Sequence, residues 1–180
     1  MKKTLYKSGF TLIELLVVIA IIGILTGIVM SNFTSAKSKA RDAKRISDIS
    51  NIQLALEQVF DKCNAYPTNI TNKDDTISVD SIGTTCKSTD GTITYTLGYF
   101  MTVVPTDFGT PYLYYVSSGN APYIDYVLKA SLENYNTALI DDVDGTPSSI
   151  SMNGDTCGVS GNPEASAGNP ARYYYCIQPK

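Results

Sequence analysis

The chain contains no histidine. That absence removes Ser/His triads, Cys/His nucleophile pairs and most zinc hydrolase sites. No phosphate-cradling glycine loop and no dinucleotide fingerprint takes their place, and the carboxylates are scattered without a distinctive pair. A catalytic role is not expected. Charge is missing from one stretch in particular: from Phe10 to Met30 the only ionisable side chain is Glu14. Glycine and proline are missing from another, Ser38 to Asp61, so nothing there interrupts a helix.

Residues 10 to 30 would make about 31 Å of α-helix at 1.5 Å per residue, which matches a hydrocarbon core of roughly 30 Å. An unpaired acid in such a segment costs on the order of 3 kcal/mol or more, so Glu14 calls for a partner. Lys2, Lys3 and Lys7 precede the run. They allow a secretory signal peptide, with Thr34-Ser35-Ala36 as a weak cleavage site, but the run exceeds the usual apolar length of such a signal. A plain membrane anchor accounts for the length, yet gives no role to Gly9-Phe10 or to Glu14.

Gly9-Phe10-Thr11-Leu12-Ile13-Glu14 resembles the class III signal of type IV pilins and pseudopilins. The likeness at motif level covers residues 7 to 36. It implies cleavage after Gly9 by a prepilin peptidase on the cytoplasmic side, methylation of the new N-terminal Phe10, and retention of the apolar segment. One departure is the late part of that segment, where many members carry proline and this chain has Ser31-Asn32. Cleavage would leave Phe10 with an amine that is positive near neutral pH. Glu14 lies four residues on, on the same helical face. Within one chain the two are awkwardly placed. Between chains, the amine of an incoming subunit would neutralise the Glu14 of its neighbour, because a buried charge is tolerated when paired. The plainer alternative is that Glu14 snorkels to the interface. Gly23 and Gly27 form a GxxxG pattern that favours close helix approach, although glycine is common in membrane helices.

Beyond the apolar run, Lys37, Lys39, Arg41, Lys44 and Arg45 surround Asp42. The cluster reads as a solvated turn facing lipid headgroups. With both flanks basic, the positive-inside rule gives no orientation; the resemblance does, placing the leader in the cytoplasm. Ile46, Ile49, Ile52, Leu56, Val59 and Phe60 then recur at helical steps and mark a buried stripe. Leu54 falls off it. Tyr66-Pro67 ends the pattern. Residues 69 to 90 read as a long polar loop, followed by strand-like runs at Thr92–Leu97, Tyr112–Val116 and Tyr123–Ala130, with a final short strand at Tyr173–Ile177.

The expected fold is therefore α+β: a long N-terminal α-helical stalk packed on a small antiparallel β-sheet head, the pilin-like architecture. Residues 1–9 form the leader, 10–36 the hydrophobic transmembrane and filament-core helix, 37–62 its amphipathic continuation, and 63–180 the head. Residues 46–180 hold 6 basic and 15 acidic side chains. That acidity argues against nucleic-acid binding by the head, leaving such contact to the filament level.

The four cysteines, Cys63, Cys86, Cys157 and Cys176, allow three pairings, and an exported chain favours disulfides. Cys63–Cys86 and Cys157–Cys176 is the expected set, each closing a loop of about 20 residues worth about 3 kcal/mol in the chain-entropy model. Cys157–Cys176 also resembles the C-terminal staple of many pilins. Free thiols are the alternative. Asp141, Asp142 and Asp144 before Gly145 form the one calcium-like cluster, against a plain solvated acidic loop. No other cofactor is expected.

The resemblance implies a structural subunit polymerised through its N-terminal helix into a surface filament for adhesion, motility or DNA uptake. A pseudopilin of a type II secretion system is the first alternative, and a non-polymerising membrane-anchored binding domain the second. The implied partners are copies of itself in a helical filament, the prepilin peptidase, an assembly platform and its ATPase, and the membrane. The implied location is the cytoplasmic membrane in a single pass with the head outside, then an envelope or extracellular filament.

Overall fold

The computed structural model describes residues 9–74, 76–78, 84–117, 122–140, 142, 150–152, 157 and 173–179, with residues 31 and 32 as backbone only. Two compact units make up the chain, Met1–Lys39 and Ala40–Lys180. Helix α1, Leu12–Cys63, begins in the first and ends in the second.

In the first unit, α1 is apolar on every side. An 18-residue window reaches a mean hydropathy of 2.9 with none of it buried, long and apolar enough to cross a membrane. The few polar groups are answered locally: the Thr26 hydroxyl donates to the Ile22 carbonyl at 2.8 Å, which keeps it from facing lipid unpaired. A Cβ built on Gly23 or Gly27 meets nothing within 4 Å, so both glycines lie open to whatever surrounds this helix.

In the second unit, the last turns of α1 carry the stripe that the spacing predicts. Ile49, Ile52, Leu56 and Val59 are buried, while Leu54 is 62% exposed. Asn64 stops the helix. It sits at φ 52°, in the left-handed region, and its N–H donates to the Phe60 carbonyl at 2.8 Å; asparagine tolerates this capping geometry better than most residues.

The stripe packs on a three-stranded antiparallel sheet of order β3-β4-β5, with β3 Leu113–Val116, β4 Tyr126–Leu132 and β5 Tyr173–Ile177. A short hairpin, β1 Thr106–Asp107 with β2 Thr110–Pro111, precedes it. Its turn places both Phe108 (φ 50°) and Gly109 (φ 91°) in the left-handed region, the combination a two-residue hairpin favours. The central strand β4 is buried on both faces. Tyr126, Leu128 and Ala130 join the α1 stripe in the main core. Val127 points the other way, into a smaller cluster with Ile150, Met152, Cys157 and Cys176, as the two-residue alternation of a strand requires.

Three sequence expectations shift. The Thr92–Leu97 run is not a sheet strand: its residues form isolated bridges, Thr76↔Thr96 and Lys87↔Thr94, and the chain then turns into α2, Leu97–Phe100. The long polar loop is accordingly stitched by backbone bonds, Ile77 N–H to Tyr95 and Cys86 N–H to Ile77. β5 therefore supplies the third strand of the sheet. The Tyr123 start moves to Tyr126, and that strand continues to Leu132. Both disulfides are present, Cys63–Cys86 with Cα atoms 5.5 Å apart and Cys157–Cys176 at 5.8 Å. The first ties the end of α1 to the stitched loop, the second ties residue 157 to β5.

Leu56 is fully buried. Leu56→Ala should cost the head about 2–5 kcal/mol in denaturation of the detergent-solubilised chain, while Leu54→Ala should change it by no more than about 0.5 kcal/mol; equal losses would mean that the buried face of α1 has been misplaced.

Candidate functional site

The N-terminal end of α1 holds the residues singled out from the motif. Thr11 precedes the first helical residue, and its carbonyl accepts the Leu15 N–H at 3.3 Å. Its hydroxyl accepts the Glu14 N–H at 3.3 Å. In return Glu14 Oε2 accepts both the Thr11 N–H and the Thr11 hydroxyl, each at 2.7 Å. This reciprocal pattern is a capping box, which satisfies donors that a helix start otherwise leaves open. The Thr-x-x-Glu spacing that announces it, Thr11 to Glu14, lies inside the motif itself.

The two Glu14 carboxylate oxygens differ in their surroundings. One oxygen closes the helix on itself. The other has no hydrogen-bond partner among the described residues, and the side chain is exposed, as is Phe10 at 93%. Gly9 and Phe10 precede the helix and are exposed. Phe10 and Glu14, with Ile13, Val17 and Val18, line one shallow apolar depression, in agreement with their shared face.

A second polar site lies where α1 meets the sheet, and it corrects the reading of the basic cluster as a solvated turn at Arg41, Asp42 and Arg45, while Lys37, Lys39 and Lys44 are exposed as that reading expects. Asp42 is 2% exposed and Arg45 6%. Arg45 Nη1 donates to Asp42 at 2.8 Å and to Glu133 at 2.9 Å, and its Nε donates to Asp107 at 3.0 Å. Arg41 grips Glu133 with two donors, Nε at 2.7 Å and Nη2 on the other oxygen, the bidentate geometry that makes such pairs strong. Asp42 also accepts the backbone N–H groups of Glu133 and Asn134, each at 2.9 Å, and the Asn134 amide at 2.8 Å. The segment leaving β4 is thereby clamped to α1.

The signal for this clamp was in the spacing. Asp42, Arg45, Ile49, Ile52, Leu56 and Val59 fall at steps of three and four, one continuous stripe whose first two members are charged. Burial works against the Arg45 guanidinium, but its bonds to Asp107 and Glu133 outweigh it and hold its pKa above the ordinary value. The Glu133 carboxyl is pulled down to about 2, chiefly by the hydrogen bonds from Arg41 and with further help from Arg45.

Of the calcium candidates, Asp142 Oδ2 accepts the Cys176 N–H at 3.4 Å; Asp141 and Asp144 lie outside the described residues. Among the described residues no group of three or more His, Cys, Asp or Glu side chains is placed to hold a metal ion.

The family model for the prokaryotic N-terminal methylation motif matches residues 5–30. The type II secretion system core protein G of Aeromonas hydrophila is 45% identical over 62 residues, 34% of this chain and 43% of that protein. Its counterpart in Vibrio cholerae is 40% identical over 68 residues, 38% of this chain and 47% of that protein. A fimbrial protein of Pseudomonas aeruginosa is 32% identical over 68 residues, 38% of this chain and 44% of that protein. The match thus spans less than half the length of each of these relatives. No solved structure matches. The chain carries the N-terminal methylation segment of the type IV pilin and pseudopilin family, and its apolar helix fits a membrane anchor that goes on to an envelope or extracellular filament.

Removing Asp42 takes the side-chain acceptor from two partly buried backbone donors and unbalances the buried Arg45. Asp42→Ala should therefore destabilise the head by about 3–5 kcal/mol, read as a lowered thermal midpoint of the detergent-solubilised chain; an unchanged midpoint would contradict the clamp. Because the Glu133 pKa is lower folded than unfolded, its contribution is fully present above about 4.5 and is lost as pH falls toward about 2. Glu133→Gln should flatten stability across that window, and a parent-like acid limb in the variant would contradict the assignment.

Proposed function

We propose that this chain is a non-enzymatic filament subunit, and that it works as a pseudopilin of a type II secretion system rather than in a surface pilus. The observation that carries the filament part is the exposed apolar helix whose one acid, Glu14, sits beside the motif's cleavage bond with one carboxylate oxygen left open. The sequence alone put the surface pilus first. Relatives named for the secretion system core support the pseudopilin reading better: they include proteins from Aeromonas hydrophila and Vibrio cholerae at 45% and 40% identity, against 32% for the fimbrial protein.

In this reading the precursor is stored in the cytoplasmic membrane with its head outside. A prepilin peptidase cuts after Gly9 and methylates Phe10, which keeps the positive charge of the new terminus. While the subunit is stored, the Thr11 cap partly satisfies Glu14, and this lowers the cost of holding an acid at the membrane. On assembly the amine of an incoming copy meets the open oxygen of Glu14. That pair selects the axial register, and apolar helix packing supplies the adhesion. A platform protein and an ATPase, separate from this chain, lift the subunits. The head covers the filament, and the acidic loop around Asp142 is where calcium would be sought.

Two strains test this. Deletion should abolish release of exoproteins while surface pili persist; the opposite outcome would restore the surface-pilus reading. Glu14→Ala should leave folded subunits in the membrane fraction, abolish exoprotein release, and yield none of the cross-linked multimers that the parent gives in the envelope. Wild-type function in that strain would favour a non-polymerising anchored domain.

A further inference from the structure

The head carries a groove that the fold leaves open. It runs between the exposed flank of α1 and the Tyr99–Phe100 pair of α2, and encloses about 330 Å³ beside Leu54, Glu57 and Asp61. Leu54 is 62% exposed and Tyr99 60%. The Tyr99 ring is not loose: Tyr95 and Phe100 meet it edge-on with centroids 5.0 and 5.3 Å away. Glu57 is half-buried and accepts the Tyr66 hydroxyl at 3.2 Å. The Asp61 side chain is 71% exposed and bonds Lys62 through one oxygen at 2.8 Å, which leaves further acceptor positions open. The groove thus has an apolar floor and a rim of two carboxylates against one ammonium.

Charge identifies what would cover it. Residues 46–180 carry 15 acidic and 6 basic side chains, whereas residues 37–45 carry five basic and one acidic. Within that basic stretch, Arg41 and Arg45 are engaged by Glu133, Asp107 and Asp42, and Lys44 bonds Asp48. Lys37 and Lys39 are exposed. A helix brings its own side chains together only three or four residues apart, and Lys39 and Glu57 stand eighteen apart on α1. A lysine of this segment that reaches the groove would therefore come from another copy.

We propose, resting on the assembly reading above, that the groove receives the Lys37–Lys39 turn of a second copy of this chain. The ammonium groups meet Asp61 and Glu57, and the four-carbon lysine stems cover Leu54 and the face of Tyr99. The contact adds a head-level register to the one at Glu14. Being exposed, it is sensitive to salt.

The test is zero-length carbodiimide coupling of the sheared polymer, followed by peptide mass mapping, in the parent, Asp61→Lys, and Asp61→Lys combined with Lys37→Glu and Lys39→Glu. The expected result is a covalent dimer in the parent joining Lys37 or Lys39 to Asp61 or Glu57. Polymer recovery should fall several-fold in Asp61→Lys and return in the triple variant, with all heads equally folded by circular dichroism. Polymer that forms without these links, or Asp61 coupled to a lysine of a different protein, would overturn the contact. If that polymer still disappears in Glu14→Ala, the assembly reading survives; if the parent forms no polymer at all, both fall.

Discussion

An ionised group held away from water persists only when something answers it, and α1 meets that constraint twice. Near its start, Glu14 is the one ionisable side chain in an apolar run, and the Thr11 cap answers half of it. Where the helix enters the head, Asp42 and Arg45 occupy the buried stripe, and Glu133, Asp107 and Asn134 answer them. The two solutions differ in completeness. The head cluster is satisfied within one chain and fixes structure. The N-terminal acid is left one oxygen short, and a group left short in the folded chain is where a partner has something to gain.

The same contrast runs through the apolar surface. The stripe from Ile49 to Val59 is consumed by β4 and its neighbours. The run from Leu12 to Met30 is exposed on all sides, a quantity of apolar surface that water does not tolerate. Lipid or other copies of the same helix must cover it.

Much of this was legible in the residues. The apolar run, the lone acid, the breaker-free stretch and the three- and four-residue steps specify α1 without tertiary information. What escaped did so for physical reasons. Thr92 to Leu97 has the composition of a strand, yet strand propensity mostly measures fit to a sheet surface, and these residues find single bridges to residues 76–87 instead of a ladder. Asp42 and Arg45 belong to residue types that are usually solvated; only their spacing relative to Ile49 betrays their burial. The capping box at Thr11 is harder to read because its Thr-x-x-Glu spacing lies inside a motif in which the same glutamate already stands out as the lone acid of an apolar run.

Assembly through Glu14, as proposed, requires that the chain be cut after Gly9 and retained from Phe10 onward. Intact mass and N-terminal sequence of the protein recovered from its native envelope test that most directly. A mature chain that begins at methylated Phe10 is the predicted result. A chain that begins near Lys37, as after ordinary signal cleavage, or one that still begins at Met1, would contradict it.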